Sequence, residues 1–235
     1  MIPSTERSEP LSSRKPPTPA RAFQVSTRVR GHYLVESPGP DDERLPLLVG
    51  FHGYGETAEV HLQALRAIPG AERWRLCAVQ GLHSFYRVKT GEVVASWMTR
   101  FNRELAIEDN VRYVSGVLGQ VRSDYPTSEP LVYVGFSQGV AMAYRAAAGS
   151  GAACQALLAL GGDVPPDLAG RDLGGFPKVL IGRGSADPWY SREKLEADVE
   201  LLRGLGVSVD VCAFEGGHEW SDSFYQAAGR HLAGL

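Results

Sequence analysis

The chain has 235 residues, of which 43% are hydrophobic and 22% are charged, as in an ordinary globular protein with one sizeable core. Its formal net charge of -3 at pH 7 argues against a general role in binding nucleic acid or an anionic membrane surface. No apolar run approaches the roughly 20 residues needed to span a bilayer, and the first residues lack the apolar stretch of a signal peptide.

The amino-terminal segment differs from the rest of the chain. Residues 1–22 are rich in proline, serine and charge, so we expect a flexible tail ahead of a single domain at 23–235. The three cysteines, Cys77, Cys154 and Cys212, are widely spaced and form neither a C-x-x-C motif nor a metal-ligand pattern. Unpaired thiols favour a reducing compartment, which predicts a cytoplasmic protein without structural disulfides.

After the tail, strand-like and helix-like segments alternate. Residues 23–35 contain alternating β-branched positions, which predict a pair of edge strands around Gly31. Apolar runs predict further strands at 45–51, 74–79, 131–135, 156–160, 179–182 and 207–214. Helices are predicted at 58–67, 104–121, 138–148, 192–203 and 221–233. This alternation predicts an α/β fold with a mainly parallel central sheet and helices on both faces.

The most informative motif is Gly135-Phe136-Ser137-Gln138-Gly139, which matches G-x-S-x-G. The pattern alone is weak, but it directly follows the apolar strand LVYV and directly precedes an alanine-rich helix. This is the strand–turn–helix setting of a nucleophile elbow, in which the serine sits on a tight, strained turn. We therefore predict Ser137 as a nucleophile. The less specific alternative is a glycine-rich turn whose serine caps the helix.

A serine nucleophile needs a base and a carboxylate that orients the base. In a fold of this kind the acid and then the histidine follow the serine along the chain, each after a strand. Asp187 follows the strand at 179–182, and His218 follows the last strand after two glycines. These positions predict Asp187 as the acid and His218 as the base. Asp163, after the preceding strand, remains a rival acid.

The segment Phe51-His52-Gly53-Tyr54-Gly55-Glu56 ends the strand at 45–51, where a second oxyanion-hole amide is expected. The backbone amides of Tyr54 and Gln138 are predicted to face the same substrate oxygen. For His52 we favour a structural hydrogen-bonding role over that of a second base, and we also count it among the possible pocket residues.

The four ordered motifs HGYGE, GFSQG, GSADP and GGHEW resemble the phospholipase/carboxylesterase family of small lidless α/β-hydrolases, which includes acyl-protein thioesterases and bacterial carboxylesterases. The resemblance covers residues 25–235. It implies the α/β-hydrolase fold and hydrolysis of a small-molecule ester or thioester through an acyl-enzyme, without a metal or organic cofactor. It also implies the same site residues: Ser137, Asp187 and His218 as the triad, and Tyr54 and Gln138 as oxyanion donors.

Three departures separate the chain from the family's thioesterases. Glu56 replaces the aspartate of HG-x-GD, Val140 replaces a glycine after the elbow, and Trp97 alone is kept from a Trp–aromatic–Asp segment. We therefore expect a serine carboxylesterase that acts on small to medium acyl esters. The alternatives are a thioesterase or peptidase of the same fold, and a catalytically silent binding protein.

The surroundings of the predicted site also have an interpretation. Residues 161–177 are too few and too rich in glycine and proline for a cap domain, so we expect an open site. The segment 80–103 follows a strand end and is rich in aromatic residues that could line an acyl or aryl pocket, and packing of this loop against the sheet is an equal alternative. Aromatic residues beside the motifs are similar candidates. The candidate pocket residues are His52, His83, Tyr86, Trp97, Trp189 and Trp220.

Overall fold

A computed structural model describes residues 20–171, 173 and 175–235, so nearly all of the predicted tail at 1–22 lies outside the described residues. The strands are β1 (Tyr33–Glu36), β2 (Leu45–Phe51), β3 (Arg75–Val79), β4 (His83–Tyr86), β5 (Val93–Ser96), β6 (Thr127–Phe136), β7 (Ala156–Leu160), β8 (Lys178–Gly184) and β9 (Val209–Phe214). The helices are α1 (Ala58–Arg66), α2 (Arg103–Asp124), α3 (Gln138–Gly149), α4 (Arg192–Gly204) and α5 (Asp222–Ala233).

Seven strands form one sheet in the order β1-β3-β2-β6-β7-β8-β9. Only β1 is antiparallel to its neighbour, and every other pairing in this sheet is parallel. Strands β4 and β5 form a separate antiparallel hairpin. The carboxyl ends of the parallel strands therefore meet at one edge, which is where open α/β sheets bind ligands.

Helices cover both faces of this sheet, as the alternation of elements predicted. Successive side chains of a strand point to opposite faces. Leu47 and Val49 of β2 accordingly join a core cluster that includes buried residues of α2, α3 and α4. Leu48, between them, joins a second cluster with buried residues of α1 and α5. Strands enclosed in this way must be apolar throughout, which is why their sequences read as continuous apolar runs.

Two parts of the chain differ from the prediction. The expected pair of edge strands around Gly31 is wrong, because residues 23–32 form no strand and are exposed, and β1 begins only at Tyr33. The hairpin of β4 and β5 was not predicted. Between β7 and β8, the described residues hold only a short 3-10 turn, Pro166–Leu168, which agrees with the predicted absence of a cap domain.

His61 of α1 is a buried polar residue in the layer between α1 and the sheet. Its side chain lies close to Gly50 of β2, and its ring centroid is 5.8 Å from that of Trp220. Neither ring nitrogen has a hydrogen-bond partner among the described residues. Burial without a partner penalises the charged imidazolium, which lowers the pKa of His61 to about 3.

The substitution His61→Leu is expected to make the fold less sensitive to acid. An unfolded histidine titrates near pH 6.5, so between that pH and about 3 the unfolded state binds the extra proton. Stability is therefore lost as the pH falls below 6.5, by up to about 1.4 kcal/mol per pH unit from this side chain. Urea denaturation should show that the loss between pH 7.5 and pH 5 shrinks by about 2 kcal/mol in the variant.

Gln63→Leu provides the control, because Gln63 is exposed on the same helix and the substitution removes no titrating group. This variant should keep the pH dependence of the wild type. An unchanged pH dependence in His61→Leu would contradict the proposed titration of the buried ring.

Candidate active site

Ser137 occupies the turn between β6 and α3. Its backbone has φ 52° and ψ -119°, a left-handed φ that is uncommon for a residue with a side chain and costs about 1–3 kcal/mol. The Ser137 N–H donates to the carbonyl oxygen of Leu160 at 2.9 Å, which ties the strained turn to the end of β7. The residue lines a cleft of about 400 Å³. This is the geometry that the elbow motif predicted.

Asp187 lies in the loop after β8 and is 6% exposed. Its Oδ2 accepts a hydrogen bond from Nδ1 of His218 at 2.8 Å, and its Oδ1 accepts from the amides of Trp189 at 2.8 Å and Tyr190 at 2.9 Å. Burial alone would raise the pKa of Asp187, but the hydrogen bonds from Tyr190, His218 and Trp189 outweigh it and hold the pKa below its usual value. The ionised carboxylate fixes the proton of His218 on Nδ1 and leaves Nε2 as the basic nitrogen.

Two glycines after β7 bring the serine and the histidine to one place. A Cβ on Gly161 would lie 3.1 Å from Cε1 and Nδ1 of His218 and 3.4 Å from Oδ2 of Asp187. A Cβ on Gly162 would lie 2.4 Å from the carbonyl oxygen of Ser137. His218 and Asp187 therefore pack against Gly161, and the backbone of Ser137 packs against Gly162. Only glycines leave room for these contacts.

The rival acid lines the same cleft but is paired with a lysine. Oδ2 of Asp163 is 3.1 Å from Nζ of Lys194, and both side chains are half exposed. Nδ1 of His218 is already bonded to Asp187. The structure thus brings Asp187 to the histidine, whereas Asp163 pairs with a lysine.

The loop after β2 is held by its own hydrogen bonds. Glu56 Oε2 accepts the N–H of Gly53 at 2.7 Å, and the N–H of Gly55 donates to a carbonyl of β5 at 2.9 Å. Burial raises the pKa of Glu56 above its usual value. Among the described residues, the amides of Tyr54 and Gln138 donate to no other group. Both amides predicted for the oxyanion hole are therefore available to a ligand.

The side chain of Gln138 is a positioning element that the sequence did not reveal. Its Oε1 accepts the N–H of Trp97 at 2.9 Å, and its Nε2 donates to the carbonyl of Met98 at 2.9 Å. The indole N–H of Trp97 in turn donates to the carbonyl of His52 at 2.8 Å. The ring of Phe136, next to Ser137 in the chain, lies 5.0 Å from that of His218. These contacts join the turn at Ser137, the loop after β2 and the ring of His218.

Two of the candidate pocket residues are fully buried. Nε2 of His52 accepts a hydrogen bond of 2.9 Å from the N–H of Gly81, and Nδ1 lies 2.7 Å from the carbonyl oxygen of Gly53. Burial lowers the pKa of His52, so the ring is a neutral hydrogen-bonding bridge. Because His52 and Trp97 are both 0% exposed, neither side chain lines the cleft, which corrects their assignment to the pocket. The hydrogen bonds of His52 fit the structural role that we favoured for it.

The other four pocket candidates separate into distinct places. Trp189 is 71% exposed and lines the same cleft as Ser137. Trp220 instead borders a second cavity of about 270 Å³. His83 and Tyr86 lie exposed on β4 and do not line the cleft. Of the six candidates, Trp189 is the one that shares the cleft with the serine.

Two further observations concern the described part of the chain. No group of three or more His, Cys, Asp or Glu side chains is arranged there to hold a metal ion. None of its helices combines the length and the apolar character that crossing a lipid bilayer requires.

The sheet order, the helices on both faces and the elbow after β6 define the α/β-hydrolase fold. No protein-family model matches the sequence, and no curated protein matches it. Solved structures do match the fold. A phospholipase/carboxylesterase from Dyadobacter fermentans DSM 18053 is 18% identical with a TM-score of 0.65, over 87% of this chain and 97% of that chain.

Two further solved structures agree with this assignment. A carboxylesterase from Mesorhizobium loti is 21% identical with a TM-score of 0.64, over 87% of this chain and 95% of that chain. An esterase called PE8 is 19% identical with a TM-score of 0.67, over 88% of this chain and 100% of that chain. The resemblance drawn from the four motifs is thus confirmed at the level of the fold, with neighbours of the expected kind.

Proposed function

We propose that the chain is a serine hydrolase that cleaves small to medium acyl esters through an acyl-enzyme intermediate. Ser137 is the nucleophile, His218 the base and Asp187 the acid. The observation that carries the proposal is the 2.8 Å hydrogen bond from His218 to the buried Asp187, beside a serine held at positive φ on a strand-to-helix turn. These groups have the roles of a Ser–His–Asp triad.

The proposed reaction follows from these positions. Nε2 of His218 accepts the proton of the Ser137 hydroxyl as its Oγ attacks the ester carbonyl, and Asp187 stabilises the imidazolium that forms. The amides of Tyr54 and Gln138 donate to the oxyanion. His218 then protonates the leaving alcohol as the carbon–oxygen bond breaks. Water attacks the acyl-enzyme by the same route and releases the carboxylic acid and the free serine.

The size of the cleft supports small to medium acyl groups. The volume beside Ser137 is about 400 Å³, which falls in the range of small-molecule sites. The described residues between β7 and β8 supply no cap over it. A series of p-nitrophenyl esters of increasing acyl-chain length measures the chain-length preference. An acyl-CoA and a peptide, assayed in parallel, test the alternative thioesterase and peptidase activities.

We also propose that the enzyme works in the cytoplasm. Its three cysteines are all free thiols, and burial raises the pKa of Cys77 and Cys154 to about 12. Such thiols stay protonated and unreactive at neutral pH, so they act as small apolar residues. Free thiols of this kind fit a reducing compartment.

Labelling with a fluorescent fluorophosphonate tests the proposed nucleophile. The probe reacts with a serine that a base has activated, so the wild type should be labelled and Ser137→Ala should not. Ser223→Ala, at an exposed position in α5, serves as the matched control and should be labelled like the wild type. In-gel fluorescence of the folded proteins provides the measurement. Label retained by Ser137→Ala would point to another nucleophile, and an unlabelled wild type would favour a catalytically silent binding protein.

A further inference from the structure

Three cationic side chains line the cleft that contains Ser137: Arg103 of α2, Arg145 of α3 and Lys194 of α4. A cleft for uncharged esters needs no such groups, because its energy of binding comes mainly from apolar contact. The cleft itself offers a positive charge only if one of these cations lacks an anionic partner.

Two of the three cations have carboxylate partners. Nζ of Lys194 lies 3.1 Å from Oδ2 of Asp163. Arg145 binds Asp167 through two hydrogen bonds, from Nε at 3.0 Å and from Nη2 at 2.6 Å. These pairs neutralise two of the three positive charges.

Arg145 nevertheless keeps donor capacity. Its side chain is 2% exposed, and its Nη1 faces only the sulfur of Met98, at 3.6 Å. A thioether is a weak acceptor, whereas a guanidinium N–H forms its strongest hydrogen bonds with carboxylates. A nearly buried donor at the wall of the cleft thus lacks a strong partner.

Arg103 is the third cation and is half-buried. In the part of the chain that the structure describes, its guanidinium makes no ion pair and no side-chain hydrogen bond. Among the described residues that line the cleft, Arg103 is therefore the cation without a carboxylate in direct contact. The pKa of Asp167 is lowered chiefly by its bond to Arg145 and to a smaller extent by the more distant Arg103. In a concave site with low-dielectric walls, the charge of Arg103 attracts anions more strongly than it would on an open surface.

We propose that this cleft selects esters whose acyl part ends in a carboxylate, that is, half-esters of dicarboxylic acids. Arg103 binds the substrate carboxylate, and Nη1 of Arg145, whose acceptor is the weakly accepting sulfur of Met98, is a second donor on a residue that lines the cleft. The inference rests on the proposed ester hydrolysis and specifies its substrate class. Asp163 and Asp167 already bind the other two cations, so the acyl carboxylate would be the direct partner that Arg103 lacks.

Matched substrates test the selection. p-Nitrophenyl hydrogen adipate and methyl p-nitrophenyl adipate have the same chain, but the methyl group removes the charge from the second. At low ionic strength the wild type should show a kcat/KM about tenfold higher for the acid, mainly through a lower KM, as expected for a hydrogen bond between charged groups. Arg103→Gln should reduce this ratio to below about twofold, and added salt should reduce it in the wild type.

Arg112→Gln is the control, since Arg112 lies on the same helix with an exposed side chain away from the cleft. It should keep the ratio of the wild type. A wild-type ratio near one, or an unchanged ratio in Arg103→Gln, would overturn the proposal.

A binding measurement separates this inference from the proposed function. Adipate is titrated into Ser137→Ala, with calorimetry and the fluorescence of Trp189 in the cleft as readouts. Saturable adipate binding that becomes weaker with added salt would support the charged subsite, even if no ester were hydrolysed. The double variant Ser137→Ala/Arg103→Gln should show no such binding. Hydrolysis of the neutral ester without any saturable adipate binding would leave the proposed function standing and refute the subsite.

Discussion

The substitution Asp187→Asn is expected to lower kcat on a neutral p-nitrophenyl ester by about 10⁴-fold without unfolding the protein. Oδ1 of Asp187 accepts two backbone amides, from Trp189 and Tyr190, so the asparagine oxygen keeps that position. The amide nitrogen then faces Nδ1 of His218 and donates to it. The imidazole is forced into the tautomer with its proton on Nε2, which cannot take the proton of Ser137. Steady-state kinetics, with circular dichroism to verify folding, measure the loss.

The same substitution at the rival acid is the matched control. Asp163→Asn should leave kcat on the neutral ester within about threefold, because its carboxylate bonds Lys194 and lies outside the hydrogen bond that orients His218. A loss at position 163 comparable to that at 187 would reassign the acid to Asp163.

The position of the proposed nucleophile was predictable because its signal is local. Gly135 to Gly139 span the junction of a strand and a helix that are both visible in the sequence, and the structure places Ser137 at the strained position between them. The acid was less certain for a physical reason. Asp163 and Asp187 each follow a parallel strand, and sequence alone does not tell which loop bends toward the histidine. In the folded chain, the loop after β8 brings Asp187 to His218, whereas Asp163 pairs with Lys194.

The pocket was the least predictable part of the site. His52 belongs to a motif beside the predicted site and Trp97 to the aromatic segment 80–103, yet both rings are buried. Each is held by a hydrogen bond to a residue roughly 30 to 45 positions away along the chain, which sequence alone does not reveal. Conversely, Arg103 and Arg145 lie on helices, where a periodic sequence gives charged residues an ordinary surface interpretation. Only the packing of those helices against the sheet brings both guanidinium groups to the cleft.

In the fold, too, elements with a local sequence signal were predicted and elements that depend on distant partners were not. Strands buried on both faces were predicted from their continuous apolar runs, and their centres agree with β2, β3, β6, β7, β8 and β9. The hairpin of β4 and β5 was not predicted, since β4 is mostly exposed and lacks such a run. Residues 23–32 have β-branched positions but no strand partner, and pairing with a neighbour decides whether an extended segment becomes a strand.

Gly139, the last glycine of the elbow motif, is where a single methyl group should be most destabilising. A Cβ at this position would lie 1.9 Å from the carbonyl oxygen of Phe51 and 2.7 Å from that of His52. Both are backbone atoms, so no side-chain rotation can relieve the overlap, and α3 would have to move away from β2. We therefore expect Gly139→Ala to lower the free energy of unfolding by at least about 3 kcal/mol, measured by urea denaturation.

Gly116→Ala is the control for this prediction. Gly116 is exposed in α2, and no atom lies within 4 Å of the position that its Cβ would take, so alanine should raise the free energy of unfolding by about 0.5–1 kcal/mol through its helix propensity. The same change from glycine to alanine should thus lower the free energy of unfolding at position 139 and raise it at position 116. That result would show that Gly139 is required because a side chain would collide there, and not because the chain needs a flexible residue. Because the same movement of α3 displaces Gln138 relative to Tyr54, folded Gly139→Ala protein should also lose ester hydrolysis, by about 10²-fold or more. A variant with the wild-type denaturation midpoint would contradict the close packing of α3 on β2, which positions the two amides proposed for the oxyanion hole.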